Sequence, residues 1–393
     1  MRILLIHNYY QEPGGEDVVF AQERELLTRF GNVVSTYVRN NREIRTQSAR
    51  QRATLAWNVI WADDAKRDVL RLIHEDRPDV VHAHNTFTQI SPSIYEACRE
   101  SGVPLVQSLH NFRLLCPSAN FFRSGHVCQE CPRDGLWRSL LYGCYRQSHA
   151  ATAAVVAMLA VHRRRHTWQE KVDGYIALSD FARRAFIQGG IPEAKLHIKP
   201  NFVYPDPRPR SGGGDYALFI GRLSPEKGIR TLAEAWGRLN ERRIPLRVVG
   251  GGPLHAELQS ALASRGLDQV RLCGHLSREK TTEALQRARF LVLPSECFEN
   301  FPLVIAEAFA CGKPVICSRL GSMQELVTDG QTGLHFSPGD PEDLAAKVEW
   351  AWSHPRTLHE MGRAARREYE ANYTAEKNYE TLMNIYRKVH SRN

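Results

Sequence analysis

Two carboxylates, Glu299 and Glu307, flank the start of an apolar segment in the stretch LVLPSECFENFPLVIAEAFACGKPVICS, residues 291–318. The run 290–293 has the character of a buried strand, and 294–300 that of a polar turn. A helix follows over 302–310, with Pro302 in its first turn, where a missing N–H costs nothing. Gly312 and Pro314 close the helix, and 315–317 reads as the next strand. A strand–loop–helix–strand unit of this kind belongs to a parallel sheet. The first N–H groups of its helix lack an intrahelical acceptor and attract an anion. Two carboxylates beside such a helix end point to a ligand that carries both phosphates and hydroxyls.

A second stretch supplies cations. The strand 216–220 runs into Gly221-Arg222-Leu-Ser-Pro-Glu-Lys227-Gly228. Glycine at a strand end lets a ligand approach the backbone. Arg222 can fork onto phosphate oxygens, and Lys227 adds a point charge. Two cations and a helix N-terminus balance a diphosphate; taken alone, the loop also reads as a charged surface turn. The first turn, 7–16, has adjacent glycines, and Gly250-Gly251-Gly252 lacks the G-x-G-x-x-G spacing, so nicotinamide chemistry is disfavoured. There is no Walker A sequence.

Of nine cysteines, Cys116, Cys128, Cys131 and Cys144 cluster with the spacing C-x11-C-x2-C-x12-C. Four thiolates satisfy tetrahedral zinc, and such a closed site would be structural, stapling the loop that carries it. His126 and His149 are substitute ligands, and free thiols or a redox pair are the alternatives.

The elements that position these groups follow one rhythm. Strands at 2–7, 32–38, 79–83 and 104–109 alternate with a helix striped by Val18, Val19, Leu26 and Leu27 and with helices near 54–74 and 91–101. Each strand is a continuous apolar run, as expected where both faces are buried. The pattern is that of a doubly wound sheet. It breaks at 111–149, a run rich in Arg, Cys, Phe, Gly and Pro with no period. Long irregular segments inside a domain are usually functional. The apolar segment 150–161 then ends in His162-Arg-Arg-Arg-His166, read either as a core helix or as an interfacial helix on anionic lipid. Strands at 174–179 and 196–199 precede a Pro- and Gly-rich linker at 201–215. The rhythm restarts with strands at 216–220, 246–249, 270–272, 290–293 and 315–317, and the chain reads as wholly helical from about Pro341.

The 393 residues and net charge of +9 suit two or three globular domains with an anionic partner. Residues 111–170 carry eight Arg against three acids, which reads as a solvated basic face, or else as a site for an anionic membrane surface or an anionic substrate. Nucleic acid is not expected, because no recognised nucleic-acid motif accompanies the charge. No apolar run reaches 20 residues, and MRILLIHNYY reads as a first strand rather than a signal peptide, so a cytoplasmic location is expected.

Gly14-Gly15-Glu16, the segment Gly221–Gly228, and Glu299 to Glu307 followed by 308–314 together resemble the retaining glycosyltransferases of family 4. The resemblance covers nearly the whole chain. It implies the GT-B fold: two Rossmann-like domains, 1–203 and 204–375, facing a cleft, with a last helix, 376–393, crossing back to the first. It assigns Arg222 and Lys227 to the donor diphosphate and Glu307 to the ribose hydroxyls. Glu299 is assigned to the donor sugar, and the backbone of Asn300, Phe301, Pro302 and Leu303 to the phosphates. Gly15 would let the first loop approach those phosphates, and His110 would lie near the donor sugar. Where the family often has glycines after its first glutamate, this chain has Asn300-Phe301-Pro302. The implied reaction moves a hexose, with retention, from a UDP- or GDP-linked donor to a polysaccharide or lipid-linked saccharide. No metal is needed for catalysis, and peripheral contact with the inner face of an anionic membrane is expected. The alternatives are another GT-B enzyme, such as a nucleotide-sugar epimerase or a phosphorylase, and a non-catalytic nucleotide-sugar-binding protein.

Overall fold

The continuous apolar runs build two six-stranded parallel sheets. The structure, a computed structural model, describes residues 1–12, 14–46, 49–210 and 214–391. Pro13 of the first turn and residues 211–213 of the linker lie outside the described residues. The chain divides into one unit of Met1–Phe121, Gln129–Pro200 and Asn378–Asn393, and a second of Phe122–Cys128 and Asn201–Lys377.

In the first unit the strands are β1 (Arg2–Tyr9), β2 (Val33–Asn40), β3 (Val80–Asn85) and β4 (Leu105–Leu109). After the hairpin β5 (Phe122–Arg123) and β6 (His126–Val127), which groups with the second unit, come β7 (Gly174–Ala177) and β8 (Leu196–Ile198). The sheet order is β2-β1-β3-β4-β7-β8, all parallel. The connecting helices are α1 (Gly15–Arg29), α2 (Ala49–Asn58), α3 (Asp63–Asp76), α4 (Ser93–Glu100), α5 (Glu130–Asp134), α6 (Trp137–Tyr142), α7 (His149–Arg164), α8 (Thr167–Glu170) and α9 (Asp180–Gln188). Every residue of β3 and β4 is buried, the polar His82, His84, Asn85, Gln107 and Ser108 included.

Three features depart from the sequence reading. The helix expected over 54–74 is two, α2 and α3. The break is held by tertiary partners that no local pattern shows: the Ala62 N–H donates to Ser91 Oγ at 2.9 Å, and the Ile60 carbonyl lies 2.9 Å from His162 Nε2. The segment 111–149 is not structureless; it contains the hairpin, α5 and α6. α7 buries one face, through Val155, Met158, Leu159 and His162, so it is a core helix, capped by Ser148 Oγ accepting from the Ala151 N–H.

The second unit contains β9 (Tyr216–Ile220), β10 (Leu246–Val249), β11 (Val270–Gly274), β12 (Ala288–Leu293), β13 (Val315–Ser318) and β14 (Gly333–Phe336) in the order β11-β10-β9-β12-β13-β14. Its helices are α10 (Ile229–Arg238), α11 (His255–Ser264), α12 (Arg278–Arg287), α13 (Leu303–Ala310), α14 (Ser322–Leu326), α15 (Pro341–Ser353) and α16 (Pro355–Asn372). Trp236, Phe219, Phe290 and Phe336 centre its core. β14 is not anticipated from sequence: four residues, Gly-Leu-His-Phe, carry too little pattern. The helical C-terminus is broken at His354, before Pro355, and again at Tyr373. The last helix, α17 (Ala375–His390), returns the chain to the first unit, where Tyr386 and Val389 are buried. Among the described residues no helix is long and apolar enough to cross a membrane.

Candidate active site

In an open parallel sheet, ligands bind beyond the carboxyl ends of the strands where the order reverses. In the second unit that point lies between β9 and β12, which are paired although two strands separate them in sequence. The loop after β9 carries Arg222 and Lys227, and the loop after β12 carries Glu299. The two loops are tied together. Gly228 has φ +67°, and a Cβ there would stand 1.8 Å from the Pro294 carbonyl oxygen, so only glycine allows the approach. The Glu296 N–H donates to the Glu226 carbonyl at 2.8 Å, and Thr231 Oγ1 donates to Glu296 Oε1 at 2.5 Å. The third loop closes on the first in the same way: at Gly250, φ +133°, a Cβ would stand 1.9 Å from the Gly221 oxygen.

Held by these contacts, Lys227 Nζ donates to Glu299 Oε1 at 2.5 Å and Ser295 Oγ donates to the same oxygen at 2.8 Å. Ser322 Oγ donates to the Glu299 carbonyl at 2.6 Å, fixing the backbone. Burial pulls the Lys227 ammonium down, but the Glu299 carboxylate, with Cys297 and Glu226, outweighs it and holds Lys227 above the usual lysine range. Lys227 is therefore a permanent cation. Arg222 is exposed on the same loop. Asn300 and Phe301 are buried and lead into α13. Pro302 is the extended residue that caps α13 rather than part of its first turn, with φ −69° and ψ 101°. Leu303 is the first helical residue, so the free N–H groups of α13 open there.

Glu307 is not brought to Glu299. It lies on α13 and lines a cavity of about 350 Å³ with Val203, Pro205, Arg278, Gln286 and Cys311. Burial raises its carboxyl, and Arg278 partly offsets this. The structure thus separates the two glutamates, one to the cation loop and one to a roomier pocket.

In the first unit the order reverses between β1 and β3. Gly15, the first residue of α1, is exposed, with nothing within 4 Å of where a Cβ would stand. His110 directly follows β4 and is half-buried. It lines a cavity of about 60 Å³ with Tyr10, Asn85, Phe87, Asn111 and Arg113. Tyr10 Oη donates to Glu16 Oε2 at 2.6 Å, and Asn111 Nδ2 donates to Tyr10 Oη at 3.2 Å. Burial is the largest influence on Glu16, and its carboxyl is raised to about 8. Burial likewise pushes the His110 imidazole well below the usual range, with His84 adding to the effect, so His110 is neutral.

Comparison with known proteins places this geometry in a lineage. The Glycosyltransferase Family 4 model matches residues 13–206, and the model of glycosyl transferases group 1 matches residues 204–368. The chain belongs to the GT-B glycosyltransferases. The D-rhamnosyltransferase WbpZ of Pseudomonas aeruginosa is 34% identical over 165 residues, which is 42% of this chain and 42% of the relative. The chain thus spans less than half the length of that relative in the match. Glycogen synthase of Mycobacterium tuberculosis is 29% identical over 331 residues, covering 81% of this chain and 72% of the synthase. Among solved structures, Anabaena HepE in complex with UDP shares the fold, with a TM-score of 0.69, 19% identity and coverage of 98% and 99%.

The clustered cysteines carried the expectation of a structural zinc. Cys116, Cys128, Cys131 and Cys144 form no disulfide bond. Zinc would hold its four sulfurs about 3.8 Å apart, yet among the described residues the one group of ligand atoms gathered within 4.8 Å is Glu23, His82 and His84. Cys116 Sγ instead lies 3.1 Å from Ser118 Oγ, and Cys131 is buried on α5. The cysteines as arranged do not fit a closed zinc site. Glu23, His82 and His84 make no better one, because Lys199 Nζ donates to Glu23 Oε2 at 2.8 Å and supplies the positive charge a metal would bring.

These buried residues, with Tyr10, were not singled out from the sequence. The available signal was His82-x-His84: two imidazoles on one face of a strand whose other residues, Asn85 apart, are apolar.

Proposed function

We propose that the chain is a retaining glycosyltransferase that moves a hexose from a nucleotide-diphosphate sugar to a saccharide hydroxyl. The observation that carries this reading is the Lys227–Glu299 pair, held by Ser295 at the start of α13. A cation beside a helix N-terminus suits a diphosphate, while the carboxylate accepts hydrogen bonds from sugar hydroxyls. The pocket at Glu307 suits the nucleoside, with the carboxylate on the ribose hydroxyls. As the bond to the anomeric carbon breaks, negative charge grows on the leaving phosphate. Lys227, Arg222 and the N–H groups of Asn300, Phe301 and Leu303 stabilise it there, a role that elsewhere falls to a divalent metal. No protein nucleophile is assigned; the leaving phosphate takes the proton of the incoming hydroxyl. UDP is the first base to test, given the bound UDP of HepE, with GDP beside it.

The test is a thermal-shift screen with UDP, GDP, ADP and dTDP and their sugars, followed by mass spectrometry of products with lipid-linked and soluble saccharides. A rise in Tm with one nucleotide, lost in Lys227→Ala, is expected. If no nucleotide sugar moves the melting point, the reading fails.

A lipid-linked acceptor is favoured by a specific surface. On α6, Trp137, Leu141 and Tyr142 are 52%, 59% and 51% exposed, and the Arg138 guanidinium lies 4.7 Å from the centre of the Trp137 ring. Exposed aromatic and apolar groups in an arginine-rich segment suit the headgroup region of an anionic bilayer on its cytoplasmic face. Sedimentation with phosphatidylglycerol vesicles is expected, with loss in Trp137→Ala/Leu141→Ala. Equal sedimentation with neutral vesicles would exclude the charge argument.

A further inference from the structure

A buried chain of polar groups runs beneath the His110 cavity. Glu23 on α1 is wholly buried. Its Oε2 accepts from Lys199 Nζ at 2.8 Å, and Lys199 also donates to Asn378 Oδ1 at 3.2 Å. Its Oε1 lies 3.1 Å from His82 Nδ1 and 3.2 Å from His84 Nε2. His82 is satisfied by hydroxyls on both sides, Tyr386 Oη at 2.7 Å and Ser108 Oγ at 2.9 Å. His84 is not. Its Nδ1 meets His110 Nε2 at 3.0 Å, while its Nε2 and Glu23 Oε1 face each other with no hydrogen-bond partner of good geometry.

The geometry decides where the protons sit. Two ring nitrogens 3.0 Å apart share one proton. The Lys199 ammonium keeps Glu23 a carboxylate, held well below the usual range against the opposing effect of burial. A bare Nε2 facing that carboxylate would set two lone pairs against each other in a buried site, so His84 carries its proton on Nε2. Burial, and then His82, lowers the His84 imidazole to about 3, so it holds no second proton. Its Nδ1 is therefore an acceptor, and His110 must donate from Nε2.

We propose that Glu23, acting through His84, fixes His110 as the tautomer protonated on Nε2, leaving Nδ1 as a hydrogen-bond acceptor for a substrate hydroxyl. Glu23 and His84 are positioning residues: they touch His110 or its neighbour, not the substrate. The functional half of this inference rests on the proposed reaction, in which His110 serves the sugar; the tautomer does not.

The experiment is 15N NMR of histidine-labelled full-length protein, with the His110 signal assigned by its loss in His110→Asn. The wild type should show His110 neutral and protonated on Nε2. In Glu23→Gln the signal should shift toward a mixture of tautomers, and kcat for sugar transfer should fall about tenfold or more with donor KM nearly unchanged. Glu23→Gln leaves Lys199 buried beside a neutral amide, so Glu23→Gln/Lys199→Gln, which removes both charges, is measured beside it and should release the tautomer equally. His110 protonated on Nδ1 in the wild type, or an unchanged tautomer in either folded variant, would overturn the proposal. So would stoichiometric metal that is lost in His84→Asn, because a ligating His84 must present a bare Nε2. Full transfer activity in His110→Asn would overturn the proposed role of His110 while the NMR still read the tautomer.

Discussion

The two units are built on similar sheets but place their charges at opposite depths. Each has six parallel strands, with one strand beyond β1 in the first and two beyond β9 in the second. In the second unit the charged groups sit at the strand ends: Arg222 is exposed, and the Lys227 side chain keeps 26% of its surface. In the first unit Glu23, His82, His84 and Lys199 are all 2% exposed or less and lie against the strands themselves. A cation at a strand end retains water to exchange for a ligand. A buried ion pair has already exchanged water for its partner, and the cost of burying the two charges roughly cancels their attraction. The second unit therefore leaves its charges open to a ligand, whereas the first ties them to one another.

The strongest way to break this contrast is to remove one member of the buried pair. Lys199→Met should lower unfolding stability by about 3–5 kcal/mol, because Glu23 is left charged and buried without its cation. Glu23→Gln/Lys199→Met should recover much of that loss, and urea denaturation of the two variants reads the difference. The Glu23 carboxyl is held low when folded, so its contribution is present above the unfolded carboxylate range and is lost as pH falls through the folded value. A Lys199→Met protein as stable as wild type would mean the pair does not hold the first unit together.

Lys227→Ala inverts the expectation. Its stability should change by less than about 1 kcal/mol, since the group is partly solvated. Turnover should fall about a hundredfold or more, because a cation facing the leaving phosphate acts mainly in the transition state. Glu299→Gln should retain nucleotide binding and lose turnover. Steady-state kinetics beside a melting curve separates binding charge from structural charge.

How far the sequence carried depends on this same depth. Lys227 and Glu299 lie 72 residues apart, but each is announced by a local pattern, a strand followed by a glycine turn and a strand followed by a helix start. Apart from β14, the strands of both sheets were legible for a related reason, since a strand covered on both faces is written mainly in apolar residues. Glu23 and Lys199 are 176 residues apart, and each looks local in a different way, one as a polar position on an amphipathic helix, the other as the residue after a strand. Only the sheet order brings them together. The cysteines are the opposite case. Their spacing is a local signal, but among the described residues no three of their sulfurs gather within 4.8 Å.

Gly228→Ala tests the geometry rather than the charge. The positive φ and the 1.8 Å approach to the Pro294 oxygen together should cost about 1–3 kcal/mol. Because the strain lies between the cation loop and the Glu299 loop, donor KM should rise with the loss of Tm. A stable Gly228→Ala protein with unchanged KM would show that the loops position the pair without this contact.

The smallest effect belongs to Glu16, which stands between the two regimes: half-buried, beside the His110 cavity, and with Tyr10 rather than a cation as its partner at 2.6 Å. Burial first, and Asp17 in addition, raise its carboxyl to about 8, while the Tyr10 and Asn111 hydrogen bonds and Arg113 pull the other way. A carboxyl whose folded value lies above its unfolded value binds its proton more tightly when folded. Its contribution is then fully present below about pH 4.5 and is lost as pH rises through about 8. Partial exposure and screening limit that loss to about 1–2 kcal/mol. Glu16→Gln cannot ionise, so its stability should stay level across the window in which the wild type declines. Denaturation midpoints at pH 5, 6.5 and 8 compare the two slopes. Parallel curves would mean that Glu16 ionises normally, and the first unit would then carry, near its cavity, a charge as open to ligand as Lys227 is in the second.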